Sequence, residues 1–263
     1  DLKKTIMNVI SNKNCTKINL AYGNFLLSFY ELRDENYEKE IYYLLKGHDY
    51  YFDAHKDKFK TMLDYWAKVP SEISQLINSN NFKKDINKKN NEIAPIFVVG
   101  VPRCGSTLIE KVIASGKKKI PIGEETGIFH TVVSDIIKKN SSLTLDFNHI
   151  EIDILKRYRK KRLIQENNGY TFTDKSLENV FYLQLIKETF PNAKVIYCKR
   201  KPLSCIMSII KNNLVEVSWG HNLEHIFKYF NKFYKMIDNF KVNNENFIYD
   251  LDYEKFVTNP EVE

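Results

Sequence analysis

Cysteine is scarce in this chain: four in 263 residues, at 15, 104, 198 and 205, with no C-x-x-C spacing. That is too few for a disulfide framework at this length, and a reducing compartment fits. Long apolar runs are missing too. None reaches the ~18 to 20 residues that span a bilayer, and the opening DLKKTIMNVI lacks the basic, apolar, small-residue order of a secretion signal. The expectation is a soluble, cytoplasmic protein without a membrane span, although the chain opens on Asp1 and an upstream address stays open. The net charge of +7 comes without an aromatic-interleaved basic patch, which favours an anionic ligand and disfavours nucleic acid as a partner.

What is present changes character along the chain. Leu20, Phe25, Leu27, Phe29 and Leu32 lie in one helical pattern. A turn at Asp34-Glu35-Asn36 follows, then Tyr37, Ile41, Leu44 and Leu45 at i, i+4, i+7, i+8. Two antiparallel helices are predicted, then a third over Lys58 to Leu76. The pair resembles a degenerate tetratricopeptide repeat, in which one repeat cannot bury its own face. Residues 78–94, dense in Asn and Lys, read as a solvated linker between a helical segment (1–77) and a second domain (95–263).

After Pro95, strands alternate with helices. Ile96 to Gly100 and Ala193 to Cys198 are unbroken apolar runs, as in strands buried on both faces. Tyr170 to Asp174 and Asn246 to Asp250 read as two shorter strands, and Leu177 to Phe190 as a helix. The predicted fold is α/β: a three-layer domain with a mainly parallel sheet flanked by helices, preceded by the all-helical segment.

One absence inside this domain carries the chemistry. In VVGVPRCGSTLIEKVIASG, Gly100 and Gly105 are spaced as in G-x-x-x-x-G-K-[ST], but Ser106 stands where the lysine would be. The strand ends at Gly100, and a helix runs from near Gly105 to Gly116. The unpaired amides at its start and the positive end of its dipole suit an anion. Arg103 adds a fork of N–H donors, and Ser106 and Thr107 add hydroxyls. A nucleotide kinase needs the missing lysine and a Mg²⁺ ligand at a neighbouring strand end, yet the second apolar strand runs into Lys199-Arg200-Lys201. Asp250 is the one magnesium-site lookalike, with a strand-terminal turn residue as its plainer reading.

The ordered set VPRCGSTLIEKVIAS, GEET, TDKS, FPNAKVIYCKRKPLSCIMSII and FIYDLDYEKFVTNPE resembles the sulfotransferases that use 3′-phosphoadenosine-5′-phosphosulfate, in particular the tetratricopeptide-linked and tyrosylprotein branches. The resemblance implies that Arg103, Cys104, Gly105, Ser106 and Thr107 hold the 5′-phosphosulfate, and Arg200 and Ser208 the 3′-phosphate. It implies Glu124 as general base toward the acceptor hydroxyl, and Lys175, with Arg103, as stabiliser of the charge that develops on the departing oxygen. Adenosine 3′,5′-bisphosphate would be the product, and no metal is expected. Sulfuryl carries less charge than a γ-phosphoryl group, so neither the loop lysine nor Mg²⁺ is required.

The chain departs from the family at several places. Cys104 replaces the usual Ser and Ser106 the usual Thr; Lys201 replaces an acidic residue; Gly127 follows GEET where the tyrosylprotein enzymes have Arg. The family continues past the segment around Pro260, so a truncated C-terminal end is expected. Cys104, beside Arg103 at a helix start, is a candidate for a lowered thiol pKa. His221 is a rival base, and His221 with His225 a candidate metal pair lacking a third ligand. The first acceptor expected is a peptide tyrosine, then a carbohydrate or small-molecule hydroxyl; the helical repeat would offer a surface to a protein partner. The alternative class is a non-catalytic adaptor with a vestigial nucleotide site.

Overall fold

The computed structural model describes residues 2–79, 92–116, 119–139, 147–165 and 170–261, so most of the expected linker lies outside the described residues. The chain divides into two compact units: Asp1–Lys68 with Pro202–Asn231, and Val69–Lys201 with Lys232–Glu263.

The first unit is helical. It contains α1 (Leu2–Ile10), α2 (Lys17–Arg33), α3 (Tyr37–Ala54), the first half of α4 (Lys56–Ser79), α9 (Pro202–Asn212), a 3₁₀ turn (Ser218–His221) and the start of α10 (Leu223–Lys241). Thr16 caps α2 by accepting from the Asn19 amide, and Asn36 caps α3 by accepting from that of Lys39, which marks the turn between them. Ala21, Tyr51 and Phe59 form the core of this hairpin and α4, with Ile18, Phe25, Phe52 and Met62 packed around it. Pro202–Asn231 thus groups with the N-terminal helices, whereas a single boundary at 78–94 assigns it to the α/β domain. The ties are specific: His48 on α3 donates from Nε2 to the Ile210 carbonyl at 2.8 Å and meets His221 across 3.0 Å.

The second unit holds the sheet. Among the described residues four strands, β1 (Ile96–Val99), β2 (Thr173–Asp174), β3 (Lys194–Lys199) and β4 (Ile248–Asp252), pair in the order β2-β1-β3-β4. Every pairing is parallel, with Val99 opposite Tyr197 and Tyr197 opposite Asp250. Around it run α5 (Ser106–Ala114), α6 (Ile128–Lys139), α7 (Phe147–Lys160), a 3₁₀ turn (Leu177–Tyr182) leading into α8 (Leu183–Thr189), and α11 (Tyr253–Thr258). Phe97, Phe129, Tyr158, Phe172 and Phe190 make one aromatic core, its ring centroids 4.8–6.4 Å apart. That density of edge and tilted contacts fixes β1 against α6–α8.

β2 is shorter than the sequence suggests, but its approach is paired: Phe172 accepts from the Ile96 amide at 2.8 Å and Tyr170 from that of Ala94 at 2.9 Å. β4 begins two residues late because Glu245–Phe247 forms a 3₁₀ turn. Asp250 lies within that strand. It is ion-paired to both Lys199 and Lys241, and these ammonium groups hold its carboxyl below the ordinary value even though burial acts the other way. With β1 flanked by β2 on one side and β3 on the other, the strand order reverses at β1. The crevice beyond the carboxyl ends of such strands is where open parallel sheets take ligands.

Candidate functional site

The loop that follows β1 occupies that crevice end. Arg103 adopts a left-handed φ of 70° and Gly105 one of 100°, and Gly105 is the N-cap of α5. Two left-handed residues within three turn the chain sharply from strand to helix, leaving the first amides of α5 without intrahelical partners. A Cβ on Gly105 would stand 2.0 Å from Cε2 of Tyr253, so glycine is required by contact as well as by backbone angle. Ser106 is buried and Thr107 exposed at the head of the helix.

Arg200, one residue past β3, reaches this loop. Its Nη1 donates to the Arg103 carbonyl at 2.7 Å, and its guanidinium lies 4.8 Å from the Tyr253 ring centroid. Stacking and the carbonyl bond together fix the plane of the guanidinium. Its Nε is buried and has no hydrogen-bond partner among the described residues. Of the neighbouring residues, Lys199 pairs through its ammonium with Asp250, and the Lys201 backbone amide donates to Glu254 Oε1 at 3.3 Å. Arg200 is the one of the three whose side chain is bonded to the loop among the described contacts. Tyr253 and Glu254 belong to the segment FIYDLDYEKFV, and no local pattern there announces either contact.

Cys104 is buried. Its carbonyl accepts from the Cys198 thiol at 2.9 Å, and its own thiol pKa is lowered, chiefly through hydrogen bonding with Cys198, against the opposing effect of burial.

On the β2 side, Lys175 is 7% exposed, and its Nζ meets Glu125 Oε1 at 2.8 Å. The partner is thus the second acid of GEET. Glu124 presents an exposed side chain from a left-handed backbone with φ 55°, and its carbonyl accepts from the Lys175 amide at 2.9 Å. Lys175 directly follows Asp174, the last residue of β2. That buried carboxylate accepts from Thr126 Oγ1 and from Tyr158 OH (2.6 Å), the Ser176 amide (2.9 Å), Ser176 Oγ (2.7 Å) and Asn179 Nδ2 (3.2 Å). Burial, and then Asp174 itself, pushes the Tyr158 hydroxyl well above its usual pKa, so it remains a donor.

Ser208 lies on α9 in the first unit, where its hydroxyl and carbonyl accept from Asn212 Nδ2 at 3.3 and 2.7 Å. His221 lies in that unit too, 2% exposed and stacked against both Tyr51 and Phe59 at centroid distances of 4.7 and 5.2 Å. Burial, then the neighbouring His48, lowers its pKa to about 3. These are the surroundings of a packing residue, within the helical unit. His225 sits half-buried against Phe52. Among the described residues no three His, Cys, Asp or Glu side chains are grouped to hold a metal, and no helix is long and apolar enough to cross a membrane.

The chain thus has a parallel α/β sheet with a glycine-bearing loop at its switch point, met there by an arginine from the end of the neighbouring strand, and helix-head amides of a kind that suit an anion. The model of the Sulfotransferase family matches residues 95–263, and the chain belongs to that family. An uncharacterized protein of Aquifex aeolicus (strain VF5) is 24% identical over 260 residues, covering 92% of this chain and 33% of that protein. The chain therefore spans about a third of the length of that curated relative. The crystal structure of sulfotransferase STF1 from Mycobacterium tuberculosis H37Rv aligns over 98% of this chain and 85% of that one, with 12% identity and a TM-score of 0.39.

Proposed function

We propose that the chain transfers a sulfuryl group from 3′-phosphoadenosine-5′-phosphosulfate to an acceptor hydroxyl, with peptide tyrosine the first acceptor class and a carbohydrate hydroxyl the second. The observation that carries this reading is Arg200: its side chain closes onto the Arg103 carbonyl while its Nε stays unpaired, a donor left for an anion beside the loop. The residues present fit a sulfated nucleotide. The amides of Ser106 and Thr107, their hydroxyls and Arg103 would hold the phosphosulfate, and Arg200 a second anionic group.

When bound, that donor supplies an activated sulfuryl group whose leaving part is adenosine 3′,5′-bisphosphate. The chain's own residues do the rest. Glu124 would take the acceptor proton. The acceptor's O–H turns acidic only as its oxygen donates an electron pair into the new S–O bond, so the proton moves late in the transfer. Lys175 spends one of the three N–H bonds of its ammonium on Glu125, and the other two can face the oxygen on which charge develops. The α2–α3 hairpin and the resemblance together support the tetratricopeptide-linked branch, with a protein partner on the helical unit. The four free cysteines support a cytoplasmic setting.

The test is incubation with donor carrying ³⁵S and pooled tyrosine-peptide and carbohydrate acceptors, alongside calorimetry with adenosine 3′,5′-bisphosphate. Label should enter one acceptor pool and disappear with Arg103→Ala or Glu124→Ala. Saturable heat should accompany the nucleotide. Incorporation that survives both substitutions, or no heat at all, sinks the reading.

A further inference from the structure

The acid that would serve as base sits on a backbone held by another acid. Glu110, one turn into α5, is 1% exposed, and its Oε1 accepts from Thr173 Oγ1 at 2.7 Å and from the Glu124 amide at 3.1 Å. Thr173 Oγ1 in turn accepts from the Gly123 amide at 3.2 Å. The chain around Glu124 is stitched to β2 on both sides, by Thr173 N–H to the Pro121 carbonyl (3.0 Å) and Lys175 N–H to the Glu124 carbonyl (2.9 Å). The approach is so close that a Cβ on Gly123 would stand 2.0 Å from the Thr173 carbonyl oxygen. Glu124 itself holds a left-handed φ of 55°, a conformation that a glutamate keeps only where its surroundings over-determine it.

We infer that Glu110 is a positioning residue: it ties the Glu124 amide to the same helix that begins at the Gly105 loop, and so sets where the Glu124 carboxylate stands relative to that loop. The inference rests on the functional reading above, in which Glu124 is the base. A buried carboxylate on the inner side of the anion-binding helix is otherwise costly to that helix, because its charge sits away from water. Here its two donors are both on the segments that carry Glu124 and Lys175. Because α5 carries both the donor-binding head and Glu110, the base and the anion loop are fixed to one rigid element.

The variants that test it are Glu110→Leu, which removes both acceptors, Glu110→Gln, which keeps an oxygen at the Oε1 position, and Glu110→Asp, which withdraws it by one methylene. In Glu110→Leu, and to a lesser degree in Glu110→Asp, kcat falls about 10- to 100-fold as the base is displaced. The Kd for adenosine 3′,5′-bisphosphate stays within about twofold, because the loop amides are unchanged. Amide hydrogen exchange in the peptide containing Glu124 becomes about tenfold faster. Glu110→Gln returns both readouts to near the unsubstituted chain. Should Glu110→Leu not fold, Glu110→Asp and Glu110→Gln decide alone. Nucleotide affinity lost in parallel with kcat, unchanged exchange at Glu124, or Glu110→Gln as damaging as Glu110→Leu each overturn the inference. An unsubstituted chain that labels no acceptor overturns the functional reading and the kinetic half of this one, while exchange still decides whether Glu110 fixes the amide.

Discussion

Arg200 donates to the main-chain carbonyl of Arg103 across 97 residues of sequence, at 2.7 Å. The bond is to backbone, so it shapes the loop whatever side chain stands at 103, and it leaves the buried Nε for a ligand. Arg200→Ala should weaken binding of adenosine 3′,5′-bisphosphate by roughly 10- to 100-fold, the effect of losing a charge-assisted bond of about 1.5–3 kcal/mol. Arg200→Lys should rescue little, because a point charge cannot bond the carbonyl, lie on Tyr253 and present a second N–H together. Isothermal calorimetry reads both, and wild-type affinity in either variant contradicts the assignment.

Gly105 is held to glycine for two separable reasons, its φ of 100° and the Tyr253 ring in the space a methyl group would take. Gly105→Ala should therefore lower stability by more than the ~1–2 kcal/mol of left-handed backbone alone. Adding Tyr253→Ala should recover the steric share of that loss and leave the backbone share. A double variant no more stable than its less stable parent in urea melts would show that the ring does not confine this position.

How much of this was legible beforehand depends on the range of the interaction. β1 and β3 were readable because a strand covered on both faces leaves an unbroken apolar run, and the start of α5 because a glycine followed by hydroxyls marks a helix head. The segment Pro202–Asn231 was not, because its helical pattern says nothing about which partner takes its apolar face, and His48 to Ile210 and His221 settle that over more than 160 residues. The same holds at the site. Arg103, Arg200, Glu124 and Lys175 stand in motifs with local spacing. Glu110 and Tyr253 act through contacts 14 and 148 residues away, and Asp174 through Tyr158, 16 residues away, as well as its near neighbours; none leaves a periodic trace. A glutamate beside Ile109, on the side of TLIEKVIA that faces the core, is the local sign for Glu110.

Lys175 is buried while its partner Glu125 is mostly in solvent. A charge kept inside against its desolvation, with its counter-ion on the rim, suits a group needed when negative charge appears. Lys175→Met should lower kcat by about 100-fold or more and change the Kd for adenosine 3′,5′-bisphosphate only severalfold. A variant whose kcat is intact would reduce Lys175 to a structural ion pair.

Asp174 receives hydrogen bonds from Thr126, Tyr158, Ser176 and Asn179, of which the last three are buried away from water. Asp174→Asn puts an amide NH₂ where one carboxylate oxygen stood, so either the Ser176 N–H and Asn179 Nδ2 meet another donor, or the hydroxyls of Thr126 and Tyr158 lose their acceptor and must reorient. The expected loss is about 3 kcal/mol, read as a lower urea midpoint with unchanged m. A loss well under 1 kcal/mol would mean that this buried cluster relaxes freely.

The paired histidines of the helical unit set its response to acid. His48 gives its Nε2 proton to the Ile210 carbonyl, so in the neutral pair its Nδ1 accepts from Nδ1–H of His221. Burial lowers the pKa of both, that of His221 to about 3. In the unfolded chain each titrates near ~6.5. Above that value folded and unfolded forms are equally neutral and the stability is fully present. As pH falls from ~6.5 toward about 3, the unfolded chain binds a proton that folded His221 refuses, and stability drops by up to about 1.4 kcal/mol per pH unit; His48 adds a loss of the same sign. His221→Phe keeps an aromatic ring against Tyr51 and Phe59 and removes one such proton. Between pH 6 and pH 4 its unfolding free energy should fall less steeply than that of the unsubstituted chain, by about one histidine's share. Parallel lines for the two proteins in urea titrations would show that His221 is not held neutral by its surroundings.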